Sequence, residues 1–184
     1  IEVPPLALAV LKGAIEAEGM KCKTYDLGME LFVHMNRDRR LFEDVQLYFY
    51  EPDRVDKKEN VDIALQFIDM WAKKLIELDT KWIGISVFSS YAQPATYLLS
   101  KRIKELKPDA KIVVGGNGAG VGIIESAYSL FDITSLEKIL KFDDFVKKRK
   151  IVDLVIQGDG ETPLVDLLSE KAVDDSTFFY SKYN

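Results

Sequence analysis

Three short runs of apolar, mostly β-branched residues, separated by segments with helical spacing, constrain the fold of this chain more than any other feature. The runs are Trp82–Phe88, Lys111–Val114 and Val152–Ile156, and each leads into serine or glycine residues. Continuous apolar strands are covered on both faces, and alternation with helices favours βαβ units. The sequence therefore predicts an α/β fold: a three-layer, doubly wound parallel sheet of flavodoxin-like or Rossmann-like type with about five strands.

The segments between these runs have the apolar spacing of amphipathic helices. The first, Leu6–Glu18, follows Pro4 and Pro5 and ends at Gly19, a residue type common at helix C-caps. Further helices are expected over Val61–Leu78, from Pro94 to before Pro108, over Ile123–Leu130 and over Glu161–Leu168. We also expect a strand over Met20–Leu27 that ends near Asp26, and one or two helices with an irregular connection in residues 28–60.

The length of 184 residues fits one main domain. We place it at residues 1–170, with a lysine-rich insert near 133–150 that contains a helix around Leu136, Ile139 and Leu140. Residues 171–184 are interpreted as a tail or linker toward a downstream domain. Because the opening helix needs a strand to cross over from, a native N-terminal strand is expected to be missing.

Charge and cysteine content exclude several function classes. A net charge of −5 has the wrong sign for a domain held to nucleic acid by phosphate contacts. The single cysteine, Cys22, allows neither an internal disulfide nor a cysteine-ligated cluster within the chain. No run approaches the 18 or so apolar residues of a membrane span. We expect a cytoplasmic protein with neither nucleic acid nor membrane as its partner.

In doubly wound sheets, ligands bind outside the carboxyl ends of the strands, where strand order reverses. Three loops follow predicted strands: residues 86–91, 115–120 and 158–161. Polar groups are unusually numerous in the first loop, and glycine dominates the second. The candidate cofactor-binding residues are therefore Ser86, Val87, Phe88, Ser89, Ser90, Tyr91, Gly115, Gly116, Asn117, Gly158, Asp159, Gly160 and Glu161.

The glycine-rich loop does not match the known phosphate-binding templates. A G-x-G-x-x-G pattern started at Gly116 meets Val121, and one started at Gly118 meets Ile123. No G-K-[ST] sequence follows, so a Walker loop is excluded as well. A nucleotide or flavin module of flavodoxin type therefore ranks third among our hypotheses. The simplest alternative is that these glycines only form a flexible turn.

Four segments, in order and spacing, carry a resemblance to a known family. They read PPLALAVL at residues 4–11, IGIS at 83–86, PDAKIVVGG at 108–116 and DLVIQGDGET at 153–162. Together they span residues 4–168, and they resemble the N-terminal cobalamin-binding-type domain of radical S-adenosylmethionine enzymes. The resemblance implies a cobalamin cofactor on the carboxyl ends of the strands, with its nucleotide tail running down into the sheet.

The segment that begins at Ser86 resembles the S-x-L element of this family, in which the serine hydroxyl forms a hydrogen bond with the nucleotide tail of cobalamin. Gly115 and Gly116 resemble paired glycines that let the tail pass, and residues 158–161 resemble a G-E-G-E turn in which Asp159 replaces the first glutamate. The D-x-H-x-x-G sequence that supplies a histidine to cobalt is absent, so lower-axial ligation by protein is not implied. The three-cysteine cluster motif is absent too.

The resemblance implies that this chain is not catalytic alone. S-adenosylmethionine and the [4Fe-4S] cluster would belong to a downstream radical domain, the expected partner, and the parent enzyme would be methyltransferase-like. A second hypothesis keeps the enzyme type without the cofactor. In it, the chain is a docking or substrate-recognition domain whose contact surfaces are residues 41–52 and 133–150.

Other conspicuous residues have simple structural interpretations. We expect His34 on a helix surface or in the core, Cys22 as a small buried residue of a strand, and Trp71 and Trp82 in the core. Asp26 could either bind a ribose hydroxyl or cap the next segment. The basic run Lys147–Lys150 is interpreted as a solvated turn that Asp143 and Asp144 offset.

Overall fold

A parallel β-sheet forms the centre of the molecule. The computed structural model of the chain describes residues 6–133 and 141–170, together with the backbone of 178–180. The strands are β1 (Ile83–Ser86), β2 (Ile112–Gly115), β3 (Leu154–Gln157) and the short β4 (Phe178–Tyr180), in the order β1-β2-β3-β4. The α/β class and the parallel pairing are confirmed, but the expected count of about five strands is too high for the described residues.

Most of the helices form where apolar spacing predicts them. They are α1 (Leu6–Ala17), α2 (Leu27–His34), α3 (Arg39–Tyr50), α4 (Lys58–Ile76), α5 (Gln93–Leu106), α6 (Tyr128–Phe131), α7 (Phe142–Lys148) and α8 (Glu161–Leu168). The helix predicted over Ile123–Leu130 is wrong in its first part, where a 3-10 helix (Glu125–Ala127) precedes α6, and α7 was not predicted. Gly19 follows α1 with a φ of +75°, which confirms its predicted role at the helix C-terminus. None of the helices in the described part of the chain is long and apolar enough to cross a membrane.

The pleat of the strands separates two packed layers. Ile112, Val114 and Val155 belong to the main core, into which α4, α5 and α7 insert residues such as Trp71, Ile103 and Phe145. Their neighbours along the strands point to the other face, where Val113, Leu154 and Ile156 pack against Leu164 and Leu167 of α8. Helix α1 packs against α8. Helices therefore cover both faces of the sheet, an arrangement compatible with a Rossmann-like fold.

The predicted strand over Met20–Leu27 is wrong. Residues 20–26 have no regular secondary structure, and α2 begins at Leu27. A strand needs a hydrogen-bonded neighbour, and none of the described strands pairs with this segment. The described strand order advances in one direction, β1 to β4. The described strands therefore contain no reversal of strand order, the place where ligands bind in doubly wound sheets.

Two segments interpreted as irregular or peripheral are part of the packed core. Residues 41–50 lie in α3, where Val45 and Phe49 are buried. Residues 142–148 form α7, where Phe142 and Phe145 are buried. The helix expected around Leu136, Ile139 and Leu140 lies outside the described residues. In the expected tail, residues 178–180 add β4 to the edge of β3.

At the amino end of the sheet, Asp153 joins two strands and a helix. Its carboxylate accepts hydrogen bonds from Lys104 Nζ at 2.7 Å, Lys111 Nζ at 3.2 Å and the backbone N–H of Ile112 at 2.9 Å. Partial burial of Asp153 acts to raise its pKa, but the hydrogen bond from Lys104, then those from Ile112 and Lys111, outweigh burial and leave the pKa lowered.

We expect this carboxylate to stabilise the fold above its unfolded pKa of about 3.9 and to lose that contribution as the pH falls through the lower folded value. Asp153→Asn should lower the free energy of unfolding by about 1–3 kcal/mol at pH 7, since it weakens three contacts at once. Urea unfolding at pH 7 and pH 3 measures both effects. The exposed Asp109→Asn is the control, and equal midpoints for the two variants would contradict this role.

Candidate functional site

The three loops selected from the sequence lie at one edge of the sheet. Ser86 pairs with Gly115, and Gly115 pairs with Ile156, so the carboxyl ends of β1, β2 and β3 are level with one another. After β1 the chain turns through a short 3-10 helix, Ser90–Ala92, into α5. The structure therefore brings together the candidate residues of all three loops. We call this region the carboxyl edge.

The loops after β1 and β2 touch backbone to backbone. A Cβ atom added at Gly118 would lie 2.4 Å from the carbonyl carbon and oxygen of Ser89, and one at Gly116 would lie 2.7 Å from the carbonyl oxygen of Val87. Gly116 also has a φ of +102°, in the region that favours glycine. The Gly118 N–H donates to the Val87 carbonyl at 2.8 Å. These two glycines are therefore required by close approach of the chain to itself.

A buried glutamine closes the glycine-rich loop from the side of α5. Gln93 is fully buried, and its Nε2 donates to the carbonyl oxygens of Gly118 at 2.8 Å and Gly122 at 3.1 Å. Its Oε1 accepts from the Ile124 N–H at 3.0 Å. Because both ends of the carboxamide are used, the loop has a defined conformation, which argues against a merely flexible turn.

The third loop is held by glycine geometry and by α7. Gly158 has a φ of +80°, and a Cβ at Gly160 would meet Leu11 of α1 at 3.3 Å. Asp159 is exposed, whereas Glu161 is half-buried in the first turn of α8. Just before this loop, Gln157 at the end of β3 donates a short hydrogen bond to the carboxylate of Asp143, which is 1% exposed.

Apolar side chains are exposed around these loops. Phe88 is 77% exposed, Tyr91 57% and Val121 45%. Tyr91 packs edge to face against Tyr50 of α3, with ring centroids 5.4 Å apart. Residues 86–91, 115–122 and 158–161 contain two acids, Asp159 and Glu161, and no lysine or arginine. The carboxyl edge thus offers apolar, amide and acidic groups, which suit a flat uncharged or cationic ligand better than a di- or triphosphate.

A strip without large side chains runs from this edge along the sheet face that α8 packs against. Gly84 and Ser86 of β1 and Gly115 of β2 all point to that face, because Val113 of β2 does. Gly84 is exposed, while Ser86 and Gly115 are half-buried. A Cβ at Gly84 would meet only a methyl group of Val113, at 3.8 Å. We call these three residues the small-residue strip.

Sequence reasoning missed Gln93 and Asp143 as residues of this region. Asp143 was expected to offset the basic run Lys147–Lys150, but its side chain points inward to Gln157 and accepts the Asp144 N–H at 2.8 Å. The sequence signal for Gln93 was its position directly before Pro94, in the first turn of a helix whose buried face also holds Tyr97, Leu99 and Ile103. A polar residue at such a buried position requires internal partners.

The remaining candidates have structural roles. Asp26 caps α2, accepting the N–H groups of Gly28 at 3.0 Å and Met29 at 3.1 Å, so the capping interpretation is confirmed. His34 is exposed on α2, with its ring 5.7 Å from that of Phe67.

Cys22 is half-buried outside any strand, which corrects its placement in one. Burial, followed by the Glu16 carboxylate, raises the pKa of its thiol. A raised pKa makes the thiol a poor nucleophile.

Comparison with known proteins gives no relative for the chain: no family model, no curated protein and no solved structure matches it. Among the residues that the structure describes, no group of three or more His, Cys, Asp or Glu side chains is placed to hold a metal ion. The carboxyl edge is therefore identified as the candidate ligand site from the geometry of its loops alone.

The close approach of the two loops yields a paired test. Gly118→Ala should destabilise the protein by about 1–3 kcal/mol, because the new methyl group overlaps the Ser89 backbone, which cannot move aside like a flexible side chain. Gly120→Ala should be close to neutral, because nothing lies within 4 Å of its Cβ position. Urea unfolding of both variants provides the measurement. Equal losses for the two would show that the loops do not touch at Gly118.

Proposed function

We propose that the chain is a cobalamin-binding module that holds a corrinoid against the carboxyl edge and presents it to a separate radical S-adenosylmethionine domain of a methyltransferase-like enzyme. When bound, cobalamin would supply cobalt as a carrier of a methyl group, and the chain itself would bind and orient it. The proposal starts from the sequence resemblance, whose four segments span residues 4–168. Two features of the structure support it.

The small-residue strip is the observation that carries the proposal. The nucleotide tail of a corrinoid needs a path along the sheet, and Gly84 and Ser86 leave one without large side chains next to the hydroxyl of Ser86. Gly115 borders this path and lies close to β3, since a Cβ added there would be 3.2 Å from the carbonyl oxygen of Ile156. The strip faces the layer of α8, and Gly84 at its deeper end is exposed. Strands covered on both faces normally carry larger apolar residues. The small residues here instead leave Gly84 exposed on this face, with room for an occupant.

The exposed aromatic residues support the position of the ring system. Phe88 and Tyr91 present flat apolar surface at the carboxyl edge, where a corrin ring would lie. The absence of lysine and arginine from the three loops disfavours a phosphate-rich nucleotide at the same place. The chain's single histidine, His34, lies on α2 and belongs to none of the three loops. The proposal therefore includes no protein ligand to cobalt.

The fit is not equally good along the whole edge. The space next to Gly116 and Gly118 is filled by the backbone of residues 87–89. A tail that enters the domain must therefore pass by Ser86 and Gly115, and not between the two loops. This narrows the predicted contact set to the small-residue strip and the outer faces of the loops.

A second candidate is a cobalamin-free docking module of the same enzyme type. The observation that favours it is the closed contact between the loops, together with exposed apolar residues that a protein partner could cover. Its contact surface would be the carboxyl edge. Deletion of residues 41–50 or 142–148 is a poor test of the contact surfaces predicted at 41–52 and 133–150, because α3 and α7 contribute buried residues to the core and their loss would unfold the domain.

Titration of the purified chain with hydroxocobalamin, followed by its visible spectrum, tests the first proposal. We expect saturable binding by the native chain and at least a tenfold weaker Kd for Gly84→Val, because the added side chain obstructs the strip. The domain should tolerate this change, since the new Cβ has only an ordinary contact with Val113.

Gly13→Val is the control, because it adds the same side chain at a helix position with nothing within 4 Å. Circular dichroism and urea unfolding of all three proteins establish that they are folded. If the folded native chain gives no saturable spectral change, the cobalamin proposal is wrong and the docking module becomes the better explanation. If Gly84→Val binds as tightly as the native chain, the tail does not lie along the strip.

A further inference from the structure

A line of polar contacts links the loops that follow β1, β2 and β3. Its first member is Gln93, which is fully buried and reaches loop atoms 25 to 31 residues further along the chain. Its carboxamide donates to two carbonyl groups and accepts from one N–H. An isosteric carboxylate could not donate these bonds, and a leucine could make none. The residue thus fixes the glycine-rich loop to the start of α5, directly after the loop of β1.

The far side of the glycine-rich loop is fixed to the start of α7. The N–H of Asp143 donates to the Ala119 carbonyl at 3.0 Å, and the N–H of Phe142 donates to the Val121 carbonyl at 3.0 Å. An isolated antiparallel bridge pairs Gly122 with Lys141. The loop is therefore held between α5 and α7, with Gln93 on one side and residues 141–143 on the other.

Asp143 continues the line to the third strand. Its side chain is buried. One carboxylate oxygen accepts a hydrogen bond from the N–H of Asp144 at 2.8 Å, and the other accepts one from Nε2 of Gln157. Gln157 is the last residue of β3, immediately before the loop of Gly158. A buried polar group that uses both oxygens in this way constrains the groups around it strongly, because the loss of a partner leaves an oxygen without a hydrogen bond.

We infer that this line of contacts, Gln93 to the glycine-rich loop to Asp143 to Gln157, couples the three strand-end loops into one unit, with Gln93 and Asp143 as positioning residues of the carboxyl edge. The coupling is a property of the chain alone, whereas its importance for binding rests on the proposed corrinoid function. A substitution at the end of β3 should therefore change the stability of the loop after β2, although none of the described hydrogen bonds joins Gln157 directly to Gln93.

Reciprocal amide hydrogen exchange, read residue by residue by NMR, tests the coupling without any ligand. Gln93→Leu should speed exchange at least tenfold at Ile124, whose bond it removes, and also at Phe142 and Asp143, one step further along the line. Gln157→Leu should speed exchange at least fivefold at Asp143 and Ile124. Gln157 is half-buried, so this variant keeps the test decisive if Gln93→Leu does not fold.

Two controls separate coupling from a general loss of stability. Gln66→Leu makes the same replacement at an exposed position of α4 and should change none of these rates. The amides of Phe67 and Ile68, in the buried part of α4, should exchange at native rates in every variant. If Gln157→Leu leaves exchange at Ile124 within twofold of the native rate, the loops are independent and the inference is overturned.

A hydroxocobalamin titration of the same variants tests the positioning role separately. Where the native chain binds, we expect Kd to rise at least fivefold in Gln93→Leu and in Gln157→Leu, but not in Gln66→Leu. Native affinity in both variants despite accelerated exchange would refute the positioning role. A native chain that binds no cobalamin would refute the proposed function, while the exchange rates still decide whether the loops are coupled.

Discussion

The contact between two backbone segments at the carboxyl edge is the constraint on which the rest of this region depends. Because Gly116 and Gly118 lie against the chain at Val87–Ser89, the loop after β2 packs backbone to backbone against the loop after β1 and cannot accept side chains at these two positions. That closeness places the loop's carbonyl groups within reach of Gln93 and its far side within reach of α7. The geometry of the edge therefore follows from two missing Cβ atoms, and the neighbouring polar contacts complete it.

The two ends of the sheet are stabilised by different chemistry. At the amino end, the carboxylate of Asp153 is bound by two lysine side chains and one backbone N–H. At the carboxyl edge, the carboxamide of Gln93 and backbone groups supply most of the hydrogen bonds that hold the loops. The buried carboxylate of Asp143 accepts hydrogen bonds from the backbone N–H of Asp144 and from Nε2 of Gln157. Charge pairs are thus concentrated away from the surface that a ligand would meet, which leaves that surface apolar and mildly acidic.

Sequence reasoning predicted most of the architecture, because its main signals are local. The apolar spacing of α1, α4, α5 and α8 and the β-branched runs of β1 to β3 are visible in the chain itself. The strand expected at Met20–Leu27 failed because pairing depends on a neighbour that no local pattern reveals. The same limit explains the candidate site: the strand-end loops were found from order along the chain, whereas Gln93 and Asp143 were missed because their partners are distant in sequence. The close approach of the chain at Gly116 and Gly118 could be seen only in three dimensions, because the residues that these glycines contact lie about 30 positions earlier in the sequence.

The exposure of Phe88 and Tyr91, beside a loop that the buried Gln93 holds in place, has an evolutionary consequence. Phe88 and Tyr91 are exposed and take no part in the hydrogen bonds of Gln93, so their replacement should cost little folding free energy beyond the ring contact of Tyr91 with Tyr50. Proteins that share this fold can therefore change the residues that would contact a ligand, Phe88 and Tyr91, while they keep Gln93 and its hydrogen-bond partners. Diversification of recognition should thus appear first at those two protruding rings, and last at the carboxamide behind them.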